Sequence, residues 1–222
     1  YDFASVDNDR YFIDGEYRQI MLSSRELNSD SLPNRSWVNE RLQYTHGFGV
    51  AMGPVNQVTE EGLPVLFIQD LPPTSSVDLE IEQPSIYFGE LSNDYVIVNT
   101  DTDEFHYPEG DNNVSTRYDG AGGVSTSSLL RRLLFAAHFR AYEILVSAQL
   151  GESSRILFHR NIIDRVTTVA PFLRYDTDPY LVISDGRLVW MLDAYTVSNH
   201  YPYAELATDR INYIRNAVKI VI

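Results

Sequence analysis

The chain has 222 residues, of which 17 are basic and 31 are acidic, and its formal net charge is −14. This acidity argues against a nucleic-acid-binding protein and against direct binding to an anionic lipid surface, because both need a basic face. The lack of cysteine excludes disulfides, zinc–thiolate sites, iron–sulfur clusters and cysteine nucleophiles.

The sequence contains no stretch of 18 consecutive apolar residues, so we expect no segment of it to span a bilayer. The first residue is Tyr1 rather than Met, and the last, Ile222, lies in an apolar run. We therefore expect a piece of a longer protein, forming a single domain over residues 1–222.

Residues 1–126 form an acidic region of loops and short strand-like runs. Ser36 is placed to cap a short helix over Trp37–Tyr44. Two apolar runs, Ile86–Phe88 and Tyr95–Val98, flank a Ser-Asn-Asp turn, and this arrangement predicts a β-hairpin.

Residues 127–172 are expected to form a helical hairpin. An apolar stripe at helical spacing follows Ser127–Ser128 and runs to Gly151, a residue type common at helix ends. A second stripe follows Ser153–Ser154 and stops before Pro171. The spacing predicts two antiparallel helices that bury their apolar stripes against a sheet.

Residues 173–222 return to strands. The Asp185-Gly186 dipeptide between Tyr180–Ile183 and Arg187–Leu192 predicts a hairpin, because both of its residues favour positive φ. Alternation and β-branched residues favour a further strand over residues 212–222. The predicted fold class is α+β, a mostly antiparallel sheet with a central helix pair packed on one face.

A glycine-rich segment before the first predicted helix indicates an anion-binding site. Main-chain N–H groups at a helix start, with guanidinium groups nearby, attract phosphate or carboxylate. The candidate residues are Gly122, Gly123, Ser125, Arg131 and Arg132. The alternative is a flexible turn before a capped helix, since the lysine and the spacing of a P-loop are absent.

A group of acidic residues suggests a calcium-like metal site. Hard cations bind several oxygens at flexible spacing, and the candidate ligands are Asp101, Asp103, Glu104 and Asp111. The spacing differs from that of an EF-hand loop, and a solvated acidic face is the favoured alternative. Calcium is the only cofactor considered, and otherwise none is expected.

The aromatic cluster Tyr195, His200, Tyr201 and Tyr203 is a candidate surface for a ligand or a protein partner, with packing on a half-buried sheet as the alternative. We assign no catalytic residue, because the sequence lacks the G-x-S-x-G and H-E-x-x-H motifs.

From about Arg18 to the end, the sequence resembles a bacterial family in a series of ordered segments. These segments are Tyr44–Val50, Pro54–Asn56, Ile86–Glu90, Tyr95–Thr100, Gly120–Val124, Ser154–Leu157, Arg160–Ile162, Ala170–Leu173, Asp178–Tyr180, Asp193–Thr196 and Asn212–Asn216. They resemble uncharacterised protein family number 0182. The resemblance implies a multi-pass membrane protein with a large soluble portion outside the cytoplasm, of which this chain would be part. It implies no activity and no catalytic residues.

The leading hypothesis is a non-enzymatic extracytoplasmic domain of a bacterial cell-membrane protein. It would bind a partner or ligand, or support the membrane half of its own protein, and other envelope proteins are further potential partners. One alternative is a cell-envelope hydrolase acting on glycans or phosphoesters, for which Asp176, Asp178 and Asp193 are the first carboxylates to consider. Another is an accessory domain of a transporter.

Overall fold

The computed structural model describes residues 1–208 and 211–222. The strands in chain order are β1 Asp2–Phe3, β2 Asp7–Ile13, β3 Glu16–Glu26, β4 Gly47–Phe48, β5 Val50–Pro54, β6 Ile68–Gln69, β7 Thr74–Ser75, β8 Ser85–Ile86, β9 Val96–Val98, β10 Glu104–Glu109, β11 Asn112–Thr116, β12 Val124–Ser125, β13 Arg155–Leu157, β14 Arg174–Tyr175, β15 Tyr180–Ser184, β16 Arg187–Ser198 and β17 Tyr213–Val221. The helices are α1 Leu129–Phe139, α2 Glu143–Val146 and α3 Ile162–Val169. A 3₁₀ turn covers Ser29–Ser31 and a π-helical turn covers Asn39–Gln43.

Two long strands organise the sheets. Strand β3 pairs with β1 and β2 along one edge and with β5 along the other, and β6 and β7 continue that sheet. Strand β16 pairs with β14 and β15 along one edge and with β17 along the other. These ladders are antiparallel, so the predicted α+β class with mostly antiparallel strands is confirmed.

The largest apolar cluster joins these two sheets. Ile20, Leu22 and Met52 of the first sheet belong to the same buried cluster as Leu181 and Trp190 of the second. Alternate residues of a strand point to opposite faces, and this periodicity gives each sheet its inward apolar side.

A smaller sheet, ordered β12-β13-β9, is covered on both faces. Ile97 and Ile156 belong to a cluster with α1 and α2, whereas Val96, Val98 and Leu157 belong to a separate cluster. All five side chains are buried. Strands covered on both faces read as continuous apolar runs, and the residues of β9 form such a run.

Three local predictions are confirmed. The Ser36 hydroxyl accepts a hydrogen bond from the Asn39 N–H at 3.1 Å, directly before the helical residues 37–43. Asp185 and Gly186 have φ values of 50° and 72° and join β15 to β16. Residues 213–221 form strand β17.

The predicted hairpin between Ile86–Phe88 and Tyr95–Val98 is wrong. Ile86 pairs with Gly47 of β4, and the residues of β9 pair with β13. The residues between the two runs bind other parts of the molecule: Leu91 donates its N–H to Glu26, which is 65 residues away. A turn held by such contacts does not bring its flanking runs together.

The predicted central pair of helices is also wrong. Helix α1 ends at Arg140, which has φ of 53°, and only residues 162–169 of the second stripe are helical. Residues 155–157 form β13, because Ile156 and Leu157 are both fully buried and face different clusters. Neighbouring residues can do this on a strand, whose successive side chains alternate, but not on one helix face.

The first apolar stripe is buried only in part. Leu130, Leu133 and Leu134 are exposed, while Ala136, Ala141 and Ile144 are buried. No helix in the described part of the chain is long and apolar enough to cross a membrane.

The Asp185-Gly186 turn gives a testable prediction. An added Cβ at Gly186 would lie 2.9 Å from Cγ of Glu82, and positive φ strains any L-residue. Gly186→Val should therefore lower the free energy of unfolding by about 2–4 kcal/mol, combining strain and overpacking. Urea unfolding followed by tryptophan fluorescence measures this loss.

Gly15→Val is the matched control. Gly15 also follows an aspartate in a hairpin and has φ of 79°, but an added Cβ would meet nothing within 4 Å. Its cost should be strain alone, about 1–2 kcal/mol. Equal losses in the two variants would contradict the proposed contact with Glu82.

Candidate functional site

A single buried arginine connects three distant segments. Arg160 follows β13 and is 5% exposed. Its guanidinium donates hydrogen bonds to the carbonyl oxygens of Tyr87 at 2.7 Å, Thr45 at 2.7 Å and Asp94 at 3.2 Å. These residues lie 73, 115 and 66 positions away in the sequence. Burial lowers the pKa of Arg160 to about 10, so the side chain stays charged at neutral pH.

Glu26, at the end of β3, supplies one of the negative charges that face Arg160. Its carboxylate is fully buried and accepts hydrogen bonds from the N–H groups of Glu90 and Leu91, both at 2.9 Å. An added Cβ at Gly89 would lie 2.1 Å from a carboxylate oxygen of Glu26, so this approach requires glycine at position 89. Burial raises the pKa of Glu26 from its ordinary value.

A second buried carboxylate, Glu104 of β10, is held by four donors. It accepts hydrogen bonds from the Thr45 hydroxyl at 2.8 Å, the Tyr87 hydroxyl at 2.9 Å, and the N–H groups of Asn99 at 3.1 Å and Tyr118 at 3.2 Å. Every carboxylate needs such donors when it is removed from water. Glu104 therefore connects β10 with the segments before β4 and after β8 and β9.

The hydrogen bonds that lead to Glu104 form a directed chain. Since the Thr45 hydroxyl donates to Glu104, its oxygen must accept from Nδ1–H of His46, which lies 2.9 Å away. Nε2 of a neutral His46 is then an acceptor, and Nδ1–H of His106 donates to it across 3.0 Å. The donors run from His106 through His46 and Thr45 to Glu104, and this pattern fixes one tautomer of each imidazole.

The environment keeps His46 neutral. Its ring is fully buried, and it stacks on Tyr87 with ring centroids 4.6 Å apart. Burial lowers the pKa of His46 to about 3, and the positive charge of Arg160 acts in the same direction. Burial also lowers the pKa of the half-buried His106. We call the set Glu26, Thr45, His46, Tyr87, Glu104, His106 and Arg160 the buried polar network.

The chemistry available to this network is structural. Glu26, His46, Glu104 and Arg160 are all buried, and their polar atoms bind one another or the main chain. Satisfied buried networks hold elements in one arrangement, because each donor needs its acceptor at a fixed distance and angle. The network therefore positions the segments that contribute to it.

The residues of the predicted anion site are occupied by contacts within the chain. Arg132 donates to the carbonyls of Thr126 and Leu150, both at 2.7 Å, and Arg131 donates to that of Ser125 at 3.4 Å. The structure thus brings Arg131 and Ser125 together. Gly122 and Gly123 lie in the wall of a cleft beside α3. Anion binding by this set stays a prediction.

The predicted calcium ligands are divided between the interior and the surface. Glu104 belongs to the buried polar network, Asp103 pairs with Arg117 at 3.3 Å, and Asp101 and Asp111 are exposed. Within residues 1–208 and 211–222, no group of three or more His, Asp or Glu side chains is arranged to hold a metal ion. Calcium binding stays a prediction.

The aromatic candidates lie beside the pair of strands β16 and β17. Tyr201 stacks on Tyr213 with centroids 4.1 Å apart, and both line a depression of about 460 Å³. Tyr195 lies within β16, while Tyr203 and His200 are exposed in the following loop. The structure brings together Tyr201 and a residue the sequence prediction left out, Tyr213.

Two of the three carboxylates considered for a hydrolase, Asp176 and Asp193, have partners of their own. Asp193 pairs with Lys219 at 2.5 Å on the neighbouring strand. Asp176 accepts the N–H of Thr177 at 2.7 Å, which is a local turn contact. These contacts suit structural roles.

The sequence prediction missed the buried polar network because arginine, glutamate and histidine usually lie at the surface. A signal was nevertheless available. Thr45–His46, Tyr87–Gly89, Asn99 and Arg160 all lie within segments that carry the family resemblance, and the structure brings those segments together. Shared motifs separated by many residues can be interpreted as parts of one site even when each is uninformative alone.

The fold and the network together define an antiparallel α+β module whose apolar core contains a buried polar network. The model of the Uncharacterised protein family (UPF0182) matches residues 1–222, and the chain belongs to this family.

Relatives of this chain come from several bacteria. A UPF0182 protein from Desulforamulus reducens is 53% identical over 224 residues, which covers 99% of this chain and 24% of the relative. UPF0182 proteins from Geotalea uraniireducens and Pelotomaculum thermopropionicum are 52% and 51% identical over all of this chain and over 25% and 24% of their own lengths. The chain spans about a quarter of the length of these curated relatives. No solved structure matches it.

The buried arginine gives a second prediction. In Arg160→Lys, a single ammonium group replaces a planar fork that reaches three carbonyls in different directions. We expect the free energy of unfolding to fall by about 3 kcal/mol or more, because buried carbonyls lose their donors. Arg187→Lys, at an exposed position of β16, should change it by less than about 0.5 kcal/mol. A similar small effect at both positions would contradict the role given to Arg160.

The buried imidazole gives a third prediction, about pH. The pKa of His46 is about 3 in the folded protein and near 6.5 when unfolded, so the unfolded state binds the extra proton between these values. Stability is therefore complete above pH 6.5 and falls as the pH drops towards 3, by up to about 1.4 kcal/mol per unit from this group. His46→Gln should flatten this slope, whereas His200→Gln, at an exposed position, should keep it.

Chemical denaturation at several pH values measures these slopes. If His46→Gln is too unstable to measure, an NMR titration of the imidazoles in the unmodified chain provides the same test. A His46 resonance that titrates near pH 6.5 in the folded chain would contradict the proposed environment.

Proposed function

We propose that this chain is a non-enzymatic module of a longer bacterial membrane protein, held on the extracytoplasmic side, and that it packs against the remainder of that protein through α1. The observation that carries this proposal is an exposed apolar surface on α1. Leu129, Leu130, Leu133 and Leu134 are 75%, 64%, 52% and 61% exposed, and we call them the leucine face.

The spacing of these leucines places them on one side of the helix. Residues three and four apart are neighbours on a helix surface, so the leucine face is contiguous. Single exposed leucines are ordinary, but contiguous apolar surface on a protein marks an interaction site.

The opposite side of α1 is apolar as well. Phe135, Ala136 and Phe139 belong to or pack against the cluster that contains Ile97 and Ile144. Apolar residues therefore lie on two sides of α1, while Arg131 and His138 are exposed on the same helix. The described part of the chain covers α1 on one side only.

The remainder of the longer protein is the occupant that fits best. Relatives that match the whole chain are about four times as long, so they carry much surface that this chain lacks. A lipid surface fits less well, because the chain has a net charge of −14 and Arg132 is bound to two main-chain carbonyls of this chain.

A cysteine-labelling experiment tests this proposal. The chain has no cysteine, so Leu134→Cys introduces a single thiol within it. We expect a maleimide to modify this thiol rapidly in the isolated 222-residue chain and at least tenfold more slowly in the complete protein in detergent, because packing excludes the reagent. Ala136→Cys, two residues away and buried, should react slowly in both, and Gln57→Cys, on an exposed loop, should react rapidly in both.

Two results would overturn the proposal. One is equal labelling of position 134 in the isolated chain and in the complete protein. The other is a pair of observations: anionic phospholipid vesicles slow labelling of position 134 in the isolated chain, and labelling is not slowed in the complete protein in detergent. This pair would assign the leucine face to a membrane surface. The complete protein without the added cysteine corrects for thiols elsewhere.

A further inference from the structure

A cleft of about 340 Å³ lies between α3, the residues after β13 and the glycine turn before β12. Its volume falls at the lower end of the range of small-molecule sites. Its wall is mostly apolar, and its lining includes Phe88, Val124, Ile156, Leu157, Phe158 and Val169. The buried polar network and the leucine face lie outside this lining.

Arg165 is the cation of this cleft and has unused donors. Its guanidinium lies 4.6 Å from the ring centroid of Phe88 and donates one long hydrogen bond, 3.4 Å, to the carbonyl of His159. Among the residues that the structure describes, no carboxylate forms an ion pair with it.

Thr168 adds a second polar group to the same wall. It lies three residues after Arg165 on α3, so the two side chains are neighbours on the helix surface, and both line the cleft. Within the described ranges its hydroxyl makes no hydrogen bond, whereas the hydroxyl of Thr167 beside it is bound to main-chain carbonyls of α3. Arg165 and Thr168 thus offer unoccupied donors at one place.

Nothing in the cleft wall opposes a negative charge. The lining residues include neither aspartate nor glutamate. The carbonyl oxygens of Gly122 and Gly123 accept hydrogen bonds from Arg155, at 2.6 and 2.9 Å, and its positive charge offsets their negative dipoles. His159 also lines the cleft, and its Nδ1 lies 2.5 Å from Asp164.

We propose that this cleft binds a small monocarboxylate with an apolar body. The carboxylate binds the guanidinium of Arg165, whose planar fork matches two carboxylate oxygens, and the Thr168 hydroxyl. The apolar body packs against Leu157, Phe158 and Val169. Both halves of the ligand are needed, because the charge selects the anion and the wall provides the buried area.

Three eight-carbon compounds that differ only in the headgroup test the proposal. Octanoate, octan-1-ol and octylammonium are titrated into the 222-residue chain by calorimetry and by ligand-observed NMR. We expect octanoate to bind at least tenfold more tightly than octan-1-ol, and octylammonium not to bind. Arg165→Gln should weaken octanoate at least tenfold while leaving octan-1-ol within about twofold, because it removes the charge and keeps the bulk.

Matched variants locate the site. Arg187→Gln, at an exposed position of β16, should leave octanoate affinity unchanged. Thr168→Val should weaken octanoate by about two- to fivefold through loss of the hydroxyl. Val169→Trp should abolish binding by filling the cleft, and since Val169 is 78% exposed, the thermal midpoint of unfolding should change little.

Three outcomes would overturn the proposal. The first is no octanoate binding at millimolar concentration. The second is equal affinity for octanoate and octan-1-ol, which indicates apolar association alone. The third is octanoate binding that is unaffected by both Arg165→Gln and Val169→Trp, because this places the ligand elsewhere, for example on the leucine face.

Discussion

The hydrogen bonds from the Arg160 guanidinium to three main-chain carbonyls determine how the segments around the core can be arranged. Removing a guanidinium from water is costly unless other dipoles replace the lost hydration. The carbonyls of Thr45, Tyr87 and Asp94 provide that replacement, and each lies just outside a strand. The ends of β4, β8 and β9 must therefore meet at Arg160, and α3 begins where the arginine is fixed.

The buried carboxylates follow the same principle with the polarity reversed. Glu26 and Glu104 are surrounded by N–H and O–H donors, several of them from the main chain. An apolar core tolerates many arrangements of similar volume, but a buried ion requires each partner at a particular distance and angle. In this chain, the apolar clusters supply the burial and the buried polar network selects among the arrangements that would bury similar area.

Sequence patterns predicted the parts of the fold that local chemistry decides. Asp185-Gly186 has the φ preferences of its turn, Ser36 caps the residues directly after it, and the last strand is rich in β-branched residues. The pattern over residues 153–170 predicted one helix wrongly, because Ile156, Ile163 and Val166 have helical spacing but only the last two lie on a helix. Pairing with β9, some sixty residues earlier in the chain, decided the conformation of residues 155–157, and no local pattern records it.

The candidate sites show the same division between local and distant causes. The residues predicted to bind an anion or calcium were grouped because they are close in sequence, and the structure separates Glu104 from Asp101, Asp103 and Asp111. The buried polar network instead gathers residues that are far apart in sequence. The composition and net charge could not reveal this network, because the type of a charged residue does not show whether its side chain is buried or solvated.

The segment from β13 to the start of α3 contacts several separate parts of the molecule. Successive side chains of an extended segment point in different directions, and here each direction meets a different environment. Ile156 packs in the cluster beside α1, and Leu157 packs in the cluster on the opposite face. Phe158 contacts the aromatic rings of α1. Arg160 belongs to the buried polar network, and Ile162 packs in the core between the two large sheets. A helix would have turned these side chains onto fewer surfaces. The non-helical form, in which His159 has φ of 48°, lets the segment reach the apolar clusters and the buried polar network together. The cleft of Arg165 lies where this segment turns into α3.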